Sequence, residues 1–373
     1  MKVLLYVFSG KGGTAQYPTQ MANGISKWAD THIIGPADAD IEGLLSNRVT
    51  FHSYSATTNT TGRITGRILG LGELLWLTRD IDPDVIHHPF ISSASSTILV
   101  PILKLFKVPV VGTVHDPIAH TGMEYGPQHL QIRTRLNKWT SEMLDTTIVH
   151  GQACYEQAVE AKYPMEKVEI FPHGLYDFFL EEEFEDIPTD SNTLLFFGRI
   201  RPNKGYDRIP EILNIVEREF QNISAIVAGN PDVGAFRNST YLDDTLEKLR
   251  DDSRVELHDR YIPNEEVGKF FSRATAVVLP YYDATASGVL KTAYAFGTPV
   301  IATNTGDIGR TVSADGTGLV TDRNTSREIG NKTIEMLRND EQQKEFSDQI
   351  CECQKRYDWE RIGKDIVELY EEL

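Results

Sequence analysis

The chain has 373 residues, 40% hydrophobic and 24% charged, with a formal net charge of −17. That length exceeds one ordinary core, so two domains are expected, and the acidic balance excludes a strongly basic nucleic-acid binder. No stretch approaches 18 uninterrupted apolar residues, which excludes a spanning helix; three cysteines offer neither a disulfide framework nor a four-ligand zinc pattern and fit a reducing cytosol.

In chain order, short apolar or β-branched runs predict strands over residues 2–8, 31–34, 49–52, 85–88, 108–114, 146–149 and 168–171. The first run resembles a signal peptide only superficially, because Gly10-Lys11-Gly12-Gly13 stands where a small-residue cleavage site would be. A helix over 17–29 follows that glycine loop. Residues 181–192 are acidic, end in turn formers and read as a linker. Beyond it, strands are predicted over 193–197, 224–228, 255–257, 276–279, 299–302 and 318–320. Strands alternating with amphipathic helices build parallel sheets. The expected architecture is α/β, with two doubly wound domains (1–180 and 193–356) facing across a cleft. The last helix carries Trp359, Ile362, Ile366, Leu369 and Leu373 on one face and must dock against another element.

The charge is uneven: residues 1–180 carry a net −3 and the remainder −14. Against that acidity, Gly198-Arg199-Ile200-Arg201-Pro202-Asn203-Lys204-Gly205 directly follows the apolar run 194–197. Two cations then stand at the carboxyl end of a strand, where open α/β sheets bind ligands. Arginine offers a planar fork for phosphate oxygens and lysine a mobile point charge. A solvated loop with incidental cations is the competing reading, and Arg201 is expected to face water. Ser287-Gly288-Val289-Leu290 places small residues at the first turn of a predicted helix, whose free N–H groups can bind an anion. Ser287 as an ordinary N-cap is the plainer alternative.

Lys11-Gly12-Gly13-Thr14 lacks the Gly-x4-Gly-Lys-Ser/Thr order of a P-loop. Gly12 and Gly13 still permit close backbone approach to a ligand, or a purely structural turn. His115-Asp116 again follows a predicted strand, where a histidine can donate to a sugar hydroxyl or assist proton transfer. Its rival reading is a core histidine bonded to Asp116. His173-Gly174 closes the first half in the same way. His87, His88 and His150 lack a carboxylate or cysteine at ligand spacing, so no metal site is expected.

Four segments together, Phe-Phe-Gly-Arg-x4-Lys-Gly (196–205), Ser-Gly-Val-Leu (287–290), Ala-Phe-Gly-Thr-Pro-Val-Ile-Ala-Thr (295–303) and Gly-Leu-Val (318–320), resemble glycosyltransferase family 4. Its members are retaining, nucleotide-sugar-dependent enzymes of the GT-B fold. The resemblance covers most of residues 190–325; Gly12-Gly13, His115-Asp116 and 171–174 match more loosely. It implies that the last helix, 357–373, returns to the first, acceptor-side domain, leaving the donor domain at 193–356. It further implies that Arg199, Lys204 and the amides at Gly288, Val289 and Leu290, beside Ser287, bind the donor diphosphate. Gly12 and Gly13 would lie near the phosphates or acceptor, and His115 near the donor sugar. No metal or cofactor is implied, the donor being a UDP- or GDP-sugar.

The chain departs from the family's E-x7-E pair, which aligns with Ala284 and Thr292. Asp283, Tyr282, Thr292 and His173 remain as candidates for the donor sugar or nucleoside. The expected reaction is glycosyl transfer in the cytoplasm to a glycan, lipid-linked glycan or small acceptor. Two rivals stay open: a sugar-nucleotide epimerase of the same fold, and a non-catalytic sugar-nucleotide-binding relative. Segments 62–79 and 131–144 mix Arg and Lys with Leu, Ile and Trp. Peripheral membrane helices and ordinary crossover helices share that pattern.

Overall fold

The computed structural model describes the chain except residues 8–11, 40, 55–62, 92–93, 119–126, 181–190 and 233–239, and the side chains of 63–70, 94–95 and 127–129. Lys11, most of the acidic linker, and part of segment 62–79 therefore lie outside the described residues. The described chain forms two compact units. One comprises Met1–Ala119, Gln131–Gly174 and Arg356–Leu373; the other is built on Leu175–Lys355.

The first unit holds seven parallel strands: β1 (Lys2–Tyr6), β2 (Asp30–Pro36), β3 (Val49–Tyr54), β4 (Val85–His88), β5 (Val110–Thr113), β6 (Thr146–Val149) and β7 (Val168–Ile170). Their order is β3-β2-β1-β4-β5-β6-β7. Val3 pairs with Thr31 on one side and Val85 on the other. The crossover direction reverses at β1, which makes the carboxyl ends of β1 and β4 a switch point where a crevice opens.

The second unit holds β8 (Thr193–Phe197), β9 (Ser224–Ala228), β10 (Val255–His258), β11 (Ala276–Leu279), β12 (Val300–Thr303) and β13 (Gly318–Thr321), in the order β10-β9-β8-β11-β12-β13. Here the reversal falls at β8. The thirteen strands read from sequence all form, with ends shifted by at most two residues. The cause is clearest in β11, Ala276–Leu279, where every residue is both buried and apolar, because strands covered on both faces read as continuous apolar runs. The first helix runs over Gly13–Ile25 rather than 17–29, since Gly12 at φ +66 lets the turn start earlier.

The last helix, Trp359–Glu371, packs on Gly13–Ile25 in the first unit. Its buried face is Trp359, Ile362, Gly363, Ile366, Val367 and Tyr370, whereas Leu373 is exposed. Gly363 rotates that stripe away from the expected one by allowing backbone contact: a Cβ there would lie 2.4 Å from the Gly24 carbonyl carbon, and one on Gly24 2.1 Å from the Trp359 oxygen. The Trp28 indole N–H donates to the Glu360 carbonyl at 2.9 Å. The Tyr370 hydroxyl bonds His87 Nδ1, and His87 Nε2 meets Thr113 Oγ1 at 2.9 Å. No helix among the described residues is long and apolar enough to cross a membrane.

Overpacking a close helix contact costs about 1–3 kcal/mol. Gly363→Val is therefore expected to lower stability by about that amount and expose Trp359, measured by urea unfolding and tryptophan fluorescence. Unchanged stability would mean that the last helix does not sit on Gly24.

Candidate active site

In the second unit the loops after β8 and β11 meet at the switch point. The turn Pro202–Lys204 closes on Gly205 at φ +70, and a Cβ there would stand 2.1 Å from the Pro280 carbonyl oxygen. Only glycine allows that approach. Asn203 staples the two loops: its carbonyl accepts from Tyr282 N–H at 2.9 Å, and its amide donates to the Asp283 carbonyl at 3.0 Å. Lys204 Nζ lies 3.7 Å above the Tyr281 ring centroid. The Tyr281 hydroxyl is 3.3 Å from Ser287 Oγ, which caps the helix Gly288–Ala295 by accepting from Leu290 N–H at 3.4 Å. Gly198, directly after β8, lies against Val289: a Cβ there would be 3.1 Å from Cγ2.

Arg199, Lys204, Ser287, Gly288, Val289 and Leu290 thus gather at one end of one sheet. The first amides of the helix have no intrahelical acceptor, and its dipole favours an anion there by about 0.3–2 kcal/mol. The Arg199 side chain is 52% exposed, with Nη1 3.7 Å from Asp232 Oδ2. Burial and the nearby Arg201 lower its pKa, while Asp232 works in the opposite sense.

Three residues singled out from sequence already have partners. Arg201 does not simply face water: its Nε donates to Asp232 Oδ2 at 2.7 Å and Nη2 lies 2.6 Å from the same oxygen, leaving the side chain 27% exposed. Tyr282 is 45% exposed, but its hydroxyl donates to Asp207 Oδ2 at 2.8 Å and its ring lies 3.5 Å from the Arg208 guanidinium carbon. Thr292 is buried and its hydroxyl bonds back to the Gly288 carbonyl at 3.1 Å, within its own helix. Ala284 is buried as well, with its carbonyl against Gly306. Asp283 sits on the loop between β11 and the helix.

Sequence reasoning missed Arg208 and Asn324. Buried Arg208 donates from Nη1 to the Pro280 carbonyl at 3.0 Å and to Asn324 Oδ1 at 2.5 Å. The Asn324 amide donates to the Tyr281 carbonyl at 2.9 Å. Together they fix the loop that carries Tyr281. No local pattern marks either residue.

His173 and His115 belong to the first unit, with Gly12 and Gly13. There His115, His150 and His173 follow β5, β6 and β7, and their rings pack together. Centroids are 4.9 Å apart for His115–His150 and 5.1 Å for His150–His173. Tyr17, from the helix after Gly12, touches all three at 4.7, 5.1 and 5.1 Å. His115 also stacks on Phe90 at 4.2 Å. His115 Nε2–H donates to the Pro89 carbonyl at 3.2 Å, so in the neutral ring Nδ1 carries the lone pair. His150 Nδ1–H donates to the Phe171 carbonyl at 3.0 Å, and His173 Nδ1–H to that of Gly174 at 2.8 Å. Burial, above all, lowers the pKa of His115 and of His150. Among the described residues no three His, Cys, Asp or Glu side chains are disposed to hold a metal ion.

Two family models match adjacent stretches of the chain: Glycosyltransferase Family 4 over residues 11–176 and Glycosyl transferases group 1 over 177–351. A D-inositol 3-phosphate glycosyltransferase of Corynebacterium urealyticum is 27% identical over 193 residues, 50% of this chain and 44% of that one. The match thus spans less than half of that relative's length. Among solved structures, Anabaena HepE in complex with UDP-glucose superposes at a TM-score of 0.76 with 17% identity over the whole of both chains. Sucrose-phosphate synthase from Thermosynechococcus elongatus gives 0.75 with 18% identity, over all of this chain and 98% of that one. The shared architecture is the GT-B fold.

Burial also pushes His87 and His88 down to about 3. The unfolded chain binds protons at these positions near pH 6.5 and the folded chain excludes them. Stability is therefore expected to fall as pH drops from 7 to 5.5, by about 1.4 kcal/mol per pH unit below 6.5 for each such histidine. A urea midpoint independent of pH across that window would contradict their neutral burial.

Proposed function

The chain belongs to the family 4 (group 1) glycosyltransferases, and on that premise we propose that it moves a glycosyl group from a nucleoside-diphosphate sugar to a hydroxyl acceptor, with retention of configuration. The observation that carries this reading is the convergence of Arg199, Lys204 and the amino terminus of helix Gly288–Ala295 at the switch point of the second sheet. A planar fork, a mobile ammonium and the first amides of a helix suit the two phosphates of a departing nucleoside diphosphate. Charge grows on that group as the glycosidic bond breaks, and preorganised donors stabilise it most at that moment.

In a retaining reaction the acceptor hydroxyl approaches on the leaving-group face, so a phosphate oxygen of the donor can take its proton. His115, with its lone pair on Nδ1, is assigned to a hydroxyl of the transferred sugar. Gly12 and Gly13 provide backbone approach for phosphate or acceptor. Where Ala284 and Thr292 replace the family's carboxylates, Asp283 remains as the acidic group of that loop for the donor sugar. UDP-sugars are the first donors to test, and the acceptors include sugar and cyclitol hydroxyls.

Lys204→Ala is expected to lower kcat/KM by roughly 10²–10³, the scale for losing one preorganised transition-state donor. Near-native turnover would remove the proposed role. In a thermal-shift screen of UDP-, GDP-, ADP- and TDP-sugars, the cognate donor at a hundred times its Kd adds about 2.7 kcal/mol of stability. No shift with any of them would count against donor binding.

A further inference from the structure

The proposed diphosphate loop keeps a carboxylate beside its cations, which an anion site would not need for charge alone. Asp232 reaches it because the pairing of β8 with β9 continues past both strand ends. Ile200 N–H donates to the Asn230 carbonyl at 3.1 Å, Asp232 N–H to the Ile200 carbonyl at 3.2 Å, and Ile200 and Pro231 form a parallel bridge. Gly229 permits this: a Cβ there would stand 1.9 Å from the Gly198 carbonyl oxygen.

The two arginines share Asp232 unequally. Arg201 grips Oδ2 through Nε at 2.7 Å and Nη2 at 2.6 Å, whereas Arg199 Nη1 stays 3.7 Å away. Asp232 is 17% exposed and Arg201 27%, so the tight pair is the sheltered one. Coulomb repulsion alone would make this carboxylate a cost to an arriving anion.

We propose that Asp232 is a positioning residue for the diphosphate clamp. It occupies Arg201, relieves the repulsion between the two guanidinium groups and holds Arg199 loosely on its outer side, ready to turn its fork to a phosphate. Part of the rotamer freedom of Arg199 is then lost before the ligand arrives rather than on binding. The inference rests on the reading that Arg199 and Lys204 bind the donor diphosphate.

The test is calorimetric titration of the full chain with UDP, followed by GDP, ADP and TDP where UDP gives no heat. Asp232→Asn is expected to weaken binding about 3- to 10-fold, the scale of one long side chain ordered on binding. Arg201→Lys, which cannot fork, moves affinity the same way, and Asp232→Glu recovers most of the loss. In an Arg199→Ala background, Asp232→Asn gives no further loss, the non-additivity of groups acting as a unit. Equal or tighter binding by Asp232→Asn, the result that charge alone requires, overturns the inference. Should that variant not fold, Arg201→Lys carries the same decision. Unchanged affinity in both Arg199→Ala and Lys204→Ala overturns the diphosphate reading itself. Binding of none of the four nucleotides overturns both.

Discussion

Everything in the second unit depends on backbone meeting backbone at the carboxyl ends of β8, β9 and β11. Gly205 lies against the Pro280 carbonyl and Gly229 against that of Gly198, at distances no side chain could occupy. A methyl group at either place would push the loops apart. The cations would then leave the mouth of the sheet, since their positions are inherited from the loops. Asn203, Arg208 and Asn324 only secure what these contacts permit, by hydrogen bonds between loops already touching.

The charge arrangement is local rather than global. The region after residue 180 carries most of the chain's negative charge, yet Arg199, Arg201 and Lys204 stand together at one sheet end. Tyr281 holds Lys204 by the face of its ring. Such a contact is worth about 0.5–2 kcal/mol and leaves the ammonium charge intact. A carboxylate partner would hold it more tightly and cancel it.

Much of this was legible in sequence because parallel strands advertise themselves. Runs such as 276–279 and 300–302 are apolar without interruption, and each is followed by a turn signal. Arg199 and Lys204 could be found because their spacing is contained in one loop. Arg201 could not be assigned, because its partner lies 31 residues away and reaches it only through the register of β8 on β9. The histidines show the same limit. Each was visible singly after a strand, but their contacts follow from the order β5-β6-β7 and from Tyr17 on another helix. Side-chain direction was hidden for a further reason. Nothing local distinguishes a threonine aimed at a ligand from Thr292, whose hydroxyl returns to its own helix.

That last residue bears on how the donor sugar is recognised. A glutamate at 292 would bring a negative charge to the second turn of the helix whose amino terminus is assigned to the diphosphate. Thr292 brings none, and its hydroxyl already serves the Gly288 carbonyl. Ala284, with its carbonyl packed on Gly306, offers only backbone to its surroundings. The helix end therefore stays more positive than its glutamate-bearing counterparts would be, which favours the diphosphate. On the proposed reading, Asp283 is then the one carboxylate of the 280–287 loop left to meet the donor sugar.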